Sequence, residues 1–293
     1  MTAVPEAAPG VRASIGRAGP PIALAAAAFV VLFAQPTQLL FRDWWTDSEA
    51  GHGLLLAPLA VWLVWRDQPP KPYKPNAMLG TTLLVAAVLL RYLAGLAAEL
   101  FTLRLSIVLA LAGLAVFWFG EGQLRRWWLP FALLTLAIPL PALVTNALTL
   151  PLQFKASALG AALLDWRNVP VRLSGNVIQL PGRQLFVTEA CSGIRSLVAL
   201  LSLGVLIGGL WLRSPVGRLA VVALAVPVAV MVNAVRVFLT GFLVYFVNPA
   251  MGEGFMHLTE GWLLFLVAFS ILAAGAWAVS AAERLALGSR HAS

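Results

Sequence analysis

The sequence predicts an all-α protein that crosses a membrane about eight times. Of its 293 residues, 60% are hydrophobic and only 11% are charged, and the mean hydropathy is +0.88. A soluble domain has about a quarter of its residues charged, so a soluble class is excluded. The apolar residues also fall into about eight stretches, most of them near the ~20 residues that a helix needs to cross a bilayer.

The predicted spans follow one another from residue 21 to residue 282. Their bounds are about 21–40, 53–65, 77–97, 103–119, 127–144, 194–212, 217–246 and 261–282. The second is short, so a tilted or partly re-entrant helix stays open there, and the seventh is long and is expected to kink at Pro227. No A-x-A-like cleavage site follows the first span, which is therefore interpreted as an anchor behind a small basic tail, residues 1–20.

Basic residues mark every second boundary between the spans. They are Arg12, Arg17, Arg66, Lys71, Lys74, Arg125, Arg126, Arg213, Arg218, Arg284 and Arg290. Because basic loops stay in the cytoplasm, both termini of this multi-pass protein are predicted to be cytoplasmic. In a bacterium the membrane is then the inner membrane, and the alternate loops face the periplasm or exterior. The net charge of +8 is explained by this topology, so nucleic-acid binding is not expected.

The outer loop 145–193 differs in composition from the spans. Residues 146–164 are mildly amphipathic and predict a helix along the membrane interface. The following VPVRLSGNVIQLPGRQLFV has turn signals at Ser174-Gly175-Asn176 and Pro181-Gly182, which predict a small β-hairpin or β-meander. The domain organisation is one transmembrane domain, 21–283, between the tails 1–20 and 284–293.

The only cysteine, Cys191, stands in EACSGIRSL where this loop meets the sixth span. A lone thiol is often a small buried apolar side chain, and that alternative stays open. The sequence predicts a helix start here, with Cys191 or Ser192 near the N-cap, and Arg195 at i+4 adds positive potential. Both effects favour a thiolate nucleophile. A single cysteine excludes an internal disulfide and a multi-thiolate zinc site, and no metal or cofactor is expected.

Ionisable residues in or near the other spans each need a reason, because a charge within the bilayer costs several kcal/mol. Arg236, in NAVRV, is predicted in the outer half of the seventh span, where it either snorkels, pairs or belongs to a site. Asn233 lies one turn earlier on the same face. His257 and His52 fall on the same outer side, as surface histidines or as site members. Arg91 and Arg104 are interpreted as structural.

A thiolate, a guanidinium and an imidazole at one membrane face are suited to acyl transfer. The thiolate attacks a carbonyl, an arginine holds the oxyanion, and the imidazole exchanges protons with the leaving and entering groups. Either Arg195 or Arg236 is a candidate for the oxyanion. Glu189 is a candidate to orient His257 or to pair with Arg195.

The chain resembles the exosortase/archaeosortase family of multi-span cysteine enzymes. The resemblance rests on EACSGIRSL, on NAVRV, on His257 before the last span, and on the early DWWTDSEAGHG, which contains His52. It implies Cys191 as nucleophile, Arg236 as holder of the oxyanion or substrate carbonyl, and His257 as acid and base, the bacterial form of the set. It also implies substrates with a C-terminal sorting tail: a short motif such as Pro-Glu-Pro, one transmembrane helix and a basic end.

Two other function classes remain as alternatives. One is a transporter or polysaccharide-export permease, because the family that the chain resembles is associated with exopolysaccharide production and intramembrane arginines can serve anionic substrates. Against it, the polar residues gather at one face and not at the midplane. The other is a non-catalytic assembly protein with a packed Cys191. Rapid reaction of Cys191 with an impermeant thiol reagent would exclude the second.

Overall fold

A computed structural model describes the backbone of residues 9–47, 49–68, 73–187, 193–248 and 254–289, with the side chains of all but 9–25, 254–260 and 286–289. Helices make up most of these ranges, and one small sheet interrupts them. In chain order the elements are α1 (Pro9–Thr46), α2 (Gly53–Arg66), α3 (Ala77–Leu96), α4 (Leu100–Phe119), α5 (Glu121–Arg126), α6 (Trp128–Leu136), α7 (Ala142–Trp166), β1 (Arg172–Ser174), β2 (Val177–Leu180), β3 (Arg183–Phe186), α8 (Ile194–Trp211), α9 (Pro215–Phe246) and α10 (Gly254–Ser289).

Within the described residues, six helices are long and apolar enough to cross a membrane. They are α3, α4, α7, α8, α9 and the part of α10 from Gly261 to Leu285. The apolar α2 has 14 residues, as short as the sequence predicted. The predicted class, an all-α polytopic membrane protein, is confirmed.

The short helix α2 packs against α6 and the residues that flank it, which together have a similar length. At one end His52 contacts the carbonyl of Leu136, and at the other the indole of Trp127 donates to the carbonyl of Asp67. Fourteen residues of α-helix are about 21 Å long. The antiparallel pair α2–α6 therefore covers a shorter distance than a full hydrocarbon core, about 30 Å.

The fifth predicted span, 127–144, is interrupted in the structure. The helix α6 ends at Leu136, and α7 begins only at Ala142. Pro139 and Pro141 lie in the break, where each lacks a backbone N–H and disfavours helical backbone in the residue before it. A hydropathy average does not detect such a break, because the apolar residues continue through it.

The helix α7 is longer than predicted and is turned with its apolar side outward. Its buried face includes Thr149, Gln153 and Ser157, whereas Leu143 and Phe154 are 82% and 48% exposed. The two buried hydroxyls donate to carbonyls four residues earlier in the helix. Exposed leucine and phenylalanine side chains on one side, with the buried hydroxyls bonded inside the helix, suit contact with lipid.

The helices α8, α9 and α10 form the largest described core. Leu200, Val221 and Leu272 are each fully buried between them. Gly204 and Gly208 of α8 lie against the backbone of α9 at Val222 and Arg218. Small residues at such contacts allow close approach of helices, which is how membrane helices gain packing energy.

The predicted β-meander is confirmed as a three-stranded antiparallel sheet in the order β1-β2-β3. The register pairs Arg172 with Gln179 and Ile178 with Leu185, so the turns fall at the predicted positions. Ile178 is fully buried in a cluster with Leu164 of α7 and Val237 of α9. The sheet is thereby packed on the ends of these two helices.

Arg104, which was predicted to be structural, lies near the start of α4, just after the turn that contains Glu99. Arg104 forms an ion pair with Asp43 near the end of α1, and its side chain is only 5% exposed. Glu99 is the N-cap of α4, and its carboxylate accepts from the backbone N–H groups of Phe101 and Thr102 at 3.1 and 2.7 Å. A structural role for Arg104 is therefore supported by a specific partner.

The Glu99 cap predicts an acid-sensitive contribution to stability. Hydrogen bonds from the Thr102 side chain and backbone lower the pKa of Glu99 below its ordinary value of 4.5. The stabilisation is therefore present above the unfolded pKa and is lost as pH falls through the lower folded value. We expect Glu99→Ala to lower the unfolding free energy by about 1 kcal/mol at pH 7 and by less at acid pH.

Thermal unfolding in detergent at several pH values checks this. The exposed Glu121 provides the control, because Glu121→Ala removes a carboxylate from another helix start where no side-chain cap bond is made. If the loss of thermal stability caused by Glu99→Ala stays constant down to pH 3, the assignment of Glu99 as the cap is contradicted.

Candidate functional site

The start of α8 is set by a glycine with a left-handed backbone. Gly193 is the N-cap, with φ of +83°, and its carbonyl accepts the first helical bond from Leu197 N–H at 2.9 Å. A Cβ at this position would lie 2.8 Å from Cγ of Asn233 on α9. Both the conformation and the contact therefore require glycine.

This start corrects the predicted position of the helix N-terminus. Cys191 or Ser192 was expected near the N-cap, and the N-cap is the next residue, Gly193, so that α8 begins at Ile194. Residue 191 therefore precedes α8, and the i, i+4 relation of Cys191 to Arg195 within one helix does not apply. A serine is the more common N-cap, which is why the sequence favoured it over Gly193. Cys191 and Glu189 themselves lie outside the described residues.

Arg236 lies one turn beyond Asn233 on α9 and faces the start of α10. A Cβ at Gly261 would lie 3.4 Å from Nη2 and 3.5 Å from Cζ of Arg236, so the guanidinium packs directly against the α10 backbone. Asn233 is buried, with 5% of its surface exposed. A small cavity between α8, α9 and α10 is lined by both residues, together with Ser196.

A single turn of α9 therefore contacts both chain segments that carry the other catalytic candidates. Asn233 touches Gly193, two residues after Cys191, and Arg236 touches Gly261, four residues after His257. His257 belongs to α10, although its side chain lies outside the described set. Positions four residues apart share a helix face, so residue 257 is on the face of α10 that meets α9 at Gly261.

A second, larger opening lies on the other side of the first turn of α8. This opening has a volume of about 760 Å³ and is called the polar cleft after the titratable residues in its largely apolar wall. It lies between the end of α1, the starts of α2, α4 and α8, and the α6–α7 connection. The charged or titratable residues that line it are Asp43, Asp47, Glu49, His52, Glu99, Arg104 and Arg195. The predicted supporting residues thus divide, with Asn233 beside Arg236 and with Arg195 and His52 at the polar cleft.

His52 is held by main-chain groups of two different segments. Its Nδ1 lies 3.1 Å from the carbonyl oxygen of Glu49, and its Nε2 lies 3.0 Å from that of Leu136. Next to it, the Trp44 indole donates to the carbonyl of Ala137 at 2.7 Å. Both side chains tie the α1–α2 connection to the end of α6, which gives His52 a structural role in the wall of the polar cleft.

Sequence reasoning missed two glycines of this region, since Gly193 and Gly261 are needed for close contact with Asn233 and Arg236. Arg104, interpreted from the sequence as structural only, also contributes a buried guanidinium to the polar cleft. A glycine directly before an apolar run is a detectable signal for Gly193. Nothing local marks Gly261, because its contact partner is 25 residues away in the chain.

The comparison with protein families shows the family to which the chain belongs. A family model described as transmembrane exosortase matches residues 44–274, more than three quarters of the chain. The chain belongs to the transmembrane exosortase family. The predicted resemblance is confirmed, and membership supports a membrane protease or transpeptidase role in general. The exosortase has no match among the curated proteins and none among the solved structures.

The contact of Gly193 with Asn233 predicts a specific effect of substitution in this exosortase. Gly193→Ala should lower the unfolding free energy by about 1–2 kcal/mol from the left-handed backbone alone, and the clash with Asn233 adds to it. Gly95→Ala is the matched control, because a Cβ at Gly95 meets nothing within 4 Å and should be neutral or slightly stabilising. Equal thermal stability of the two variants in detergent would contradict the assigned role of Gly193.

Proposed function

We propose that this exosortase is a cysteine endopeptidase or transpeptidase that cleaves C-terminal sorting tails through a thioester at Cys191. The contact of one α9 turn with the segments that lead to Cys191 and His257 is the observation that supports this most directly. We infer from this contact that the Cys191 thiol, the Arg236 guanidinium and the His257 imidazole act together, as acyl transfer requires.

In the first step the Cys191 thiolate attacks the carbonyl carbon of the scissile peptide bond. A bond forms from Sγ to carbon, and the carbonyl oxygen becomes an oxyanion. Arg236 is proposed to hold this oxyanion, since its guanidinium is fixed between α9 and Gly261 of α10 and needs little reorganisation. Such preorganised donors are worth a few kcal/mol in known sites.

In the second step the oxyanion collapses and the carbon–nitrogen bond breaks. The departing amine takes a proton from the His257 imidazolium, which leaves a thioester on Cys191. Water or an acceptor amine then attacks the thioester carbonyl and gives its proton to the neutral imidazole. The second oxyanion collapses, the carbon–sulfur bond breaks, and the Cys191 thiolate and the His257 imidazolium are regenerated. Water yields a free carboxylate, whereas an amine yields a new amide.

The orientation proposed for the enzyme matches a substrate anchored by one helix. We place both termini in the cytoplasm, the domain 21–283 in the inner membrane and the site on the periplasmic face, on the charge rule for short loops. The same rule holds the basic end of a sorting tail in the cytoplasm. The scissile bond then lies just outside the membrane, near the start of α8.

Co-expression with a tail-anchored reporter tests the proposed function. Mass spectrometry of the processed reporter should find a new C-terminus outside the transmembrane helix, as a carboxylate after hydrolysis or an amide after transfer. An intact reporter that accumulates beside a folded, membrane-inserted enzyme would contradict the proposal.

A further inference from the structure

Arg104 brings an unusual donor to the polar cleft. Its side chain is 95% buried, and its guanidinium forms the ion pair with Asp43 through Nη2. Its Nε is also buried, and within the described part of the chain it makes no hydrogen bond. An unused donor on a buried charge costs free energy, so its retention at a cleft wall favours a ligand with an acceptor oxygen.

The acidic residues of the polar cleft do not make it a simple cation site. Asp43 forms an ion pair with Arg104, and the Glu99 carboxylate accepts hydrogen bonds from two backbone N–H groups of α4. Asp47 accepts the backbone N–H of Glu49 through Oδ1 at 2.8 Å, and its Oδ2 makes no hydrogen bond within the described residues. The Arg104 Nε and the Asp47 Oδ2 are therefore a donor and an acceptor of the cleft wall that have no hydrogen-bond partner among the described residues.

Apolar side chains complete the lining. Leu100, Leu140 and Leu143 are 46%, 38% and 82% exposed where they border the polar cleft. The volume of about 760 Å³ lies within the range of ligand sites in proteins, about 300–1,000 Å³. A spare donor, a spare acceptor and an apolar border match the alternating carbonyl, N–H and side-chain groups of an extended peptide.

The polar cleft is continuous with the start of α8. Ile194, Arg195 and Val198 of its first helical turn line the cleft, and Gly193 is the N-cap of the same helix. In the sequence, Cys191 precedes Gly193 by two residues. A peptide in the cleft would therefore lie beside the chain segment that delivers the proposed nucleophile.

We propose that the polar cleft is the peptide-binding groove, which receives the extended extracytoplasmic segment of the substrate next to its scissile bond. This inference rests on the proposed function and assigns Arg104 as a positioning residue. Its Nε donates to a peptide carbonyl oxygen, and the Asp47 carboxylate accepts a peptide N–H. Leu140 and Leu143 contact the side chains of the peptide.

Disulfide mapping tests the location of the groove, because Cys191 is the only cysteine in the chain. In a Cys191→Ala background, Leu143→Cys supplies a single thiol at the cleft border. Met78→Cys is the matched control, since Met78 is an equally exposed apolar residue, at 85%, at the opposite end of α3 from Ala98 of the cleft. Mild oxidation with a single-cysteine reporter should link Leu143→Cys, and not Met78→Cys, to the segment before the reporter helix.

Kinetics with Arg104→Lys tests the assigned donor. Lysine keeps the positive charge for Asp43 but lacks Nε. We expect KM to rise about 10-fold, the effect of one lost hydrogen bond to a charged group, with kcat little changed. A purely structural role would instead lower thermal stability without this KM effect.

The outcomes separate this inference from the proposed function. If wild-type enzyme leaves the reporter uncleaved, the proposed function fails, and this inference fails with it. If wild-type enzyme cleaves the reporter while Leu143→Cys gives no more cross-link than Met78→Cys, only the groove is wrong. An unchanged KM in a folded Arg104→Lys variant would likewise overturn the role of Arg104.

Discussion

Replacement of Cys191 by alanine should abolish processing of a sorting-tail reporter while the protein remains folded in the membrane. A catalytic nucleophile contributes several orders of magnitude to kcat, so a loss of at least about 10³-fold is expected. The chain has no second cysteine to substitute for it. Pulse-chase analysis of the reporter, with membrane levels of the enzyme measured in parallel, provides the measurement.

A control variant separates catalysis from packing in this experiment. If Cys191 were only a small buried side chain, alanine and serine would both be tolerated, with a modest stability cost. Met78→Ala, at an exposed position far from α8, should process the reporter at the wild-type rate. Near-normal processing by Cys191→Ala would contradict the cysteine-enzyme proposal and would favour the transporter or the assembly protein instead.

Arg236→Gln should lower kcat by about 10²–10³-fold, the usual cost of losing one oxyanion donor. Glutamine removes the charge but retains much of the length that packs beside Gly261. Arg236→Lys should fall between glutamine and wild type, because an ammonium supplies a point charge without the planar donor geometry. Steady-state kinetics of the purified enzyme in detergent with a tail peptide checks both values.

Arg195 is the matched comparison for Arg236. Both were candidates for the oxyanion, but Arg195 lines the polar cleft, whereas Arg236 lines the small cavity between α8, α9 and α10. Arg195→Gln should therefore act mainly on KM and Arg236→Gln mainly on kcat. The opposite pattern would move the oxyanion role to Arg195.

Much of the fold could be predicted because a membrane helix requires a continuous run of apolar residues, which is visible in the local sequence. The lengths of α2, α3, α4 and the later spans follow from apolar runs, and the β-meander follows from Gly and Pro turn signals. The break before α7 escaped prediction because hydropathy averages over the prolines at 139 and 141. The outward apolar face of α7 was also hidden, because only the fold determines which side meets the protein.

The candidate site could be predicted less completely. The pairing of Asn233 with Arg236 is a helix-spacing argument, and it holds. The division of the supporting residues between two openings depends on how α8 crosses the bundle, which no local pattern records. Arg104 looked purely structural in the sequence because its partner Asp43 lies 61 residues away and the polar cleft is built from four stretches that are far apart in the chain.

The central claim is a thioester between Cys191 and the substrate, and intact mass spectrometry of acid-quenched enzyme tests it most directly. During turnover of a tail substrate, the account predicts a covalent adduct on the Cys191 peptide. Its mass should equal the N-terminal substrate fragment less water, and hydroxylamine should release it as a hydroxamate. Turnover that proceeds with no adduct at Cys191, and at the same rate in Cys191→Ala, would contradict the account.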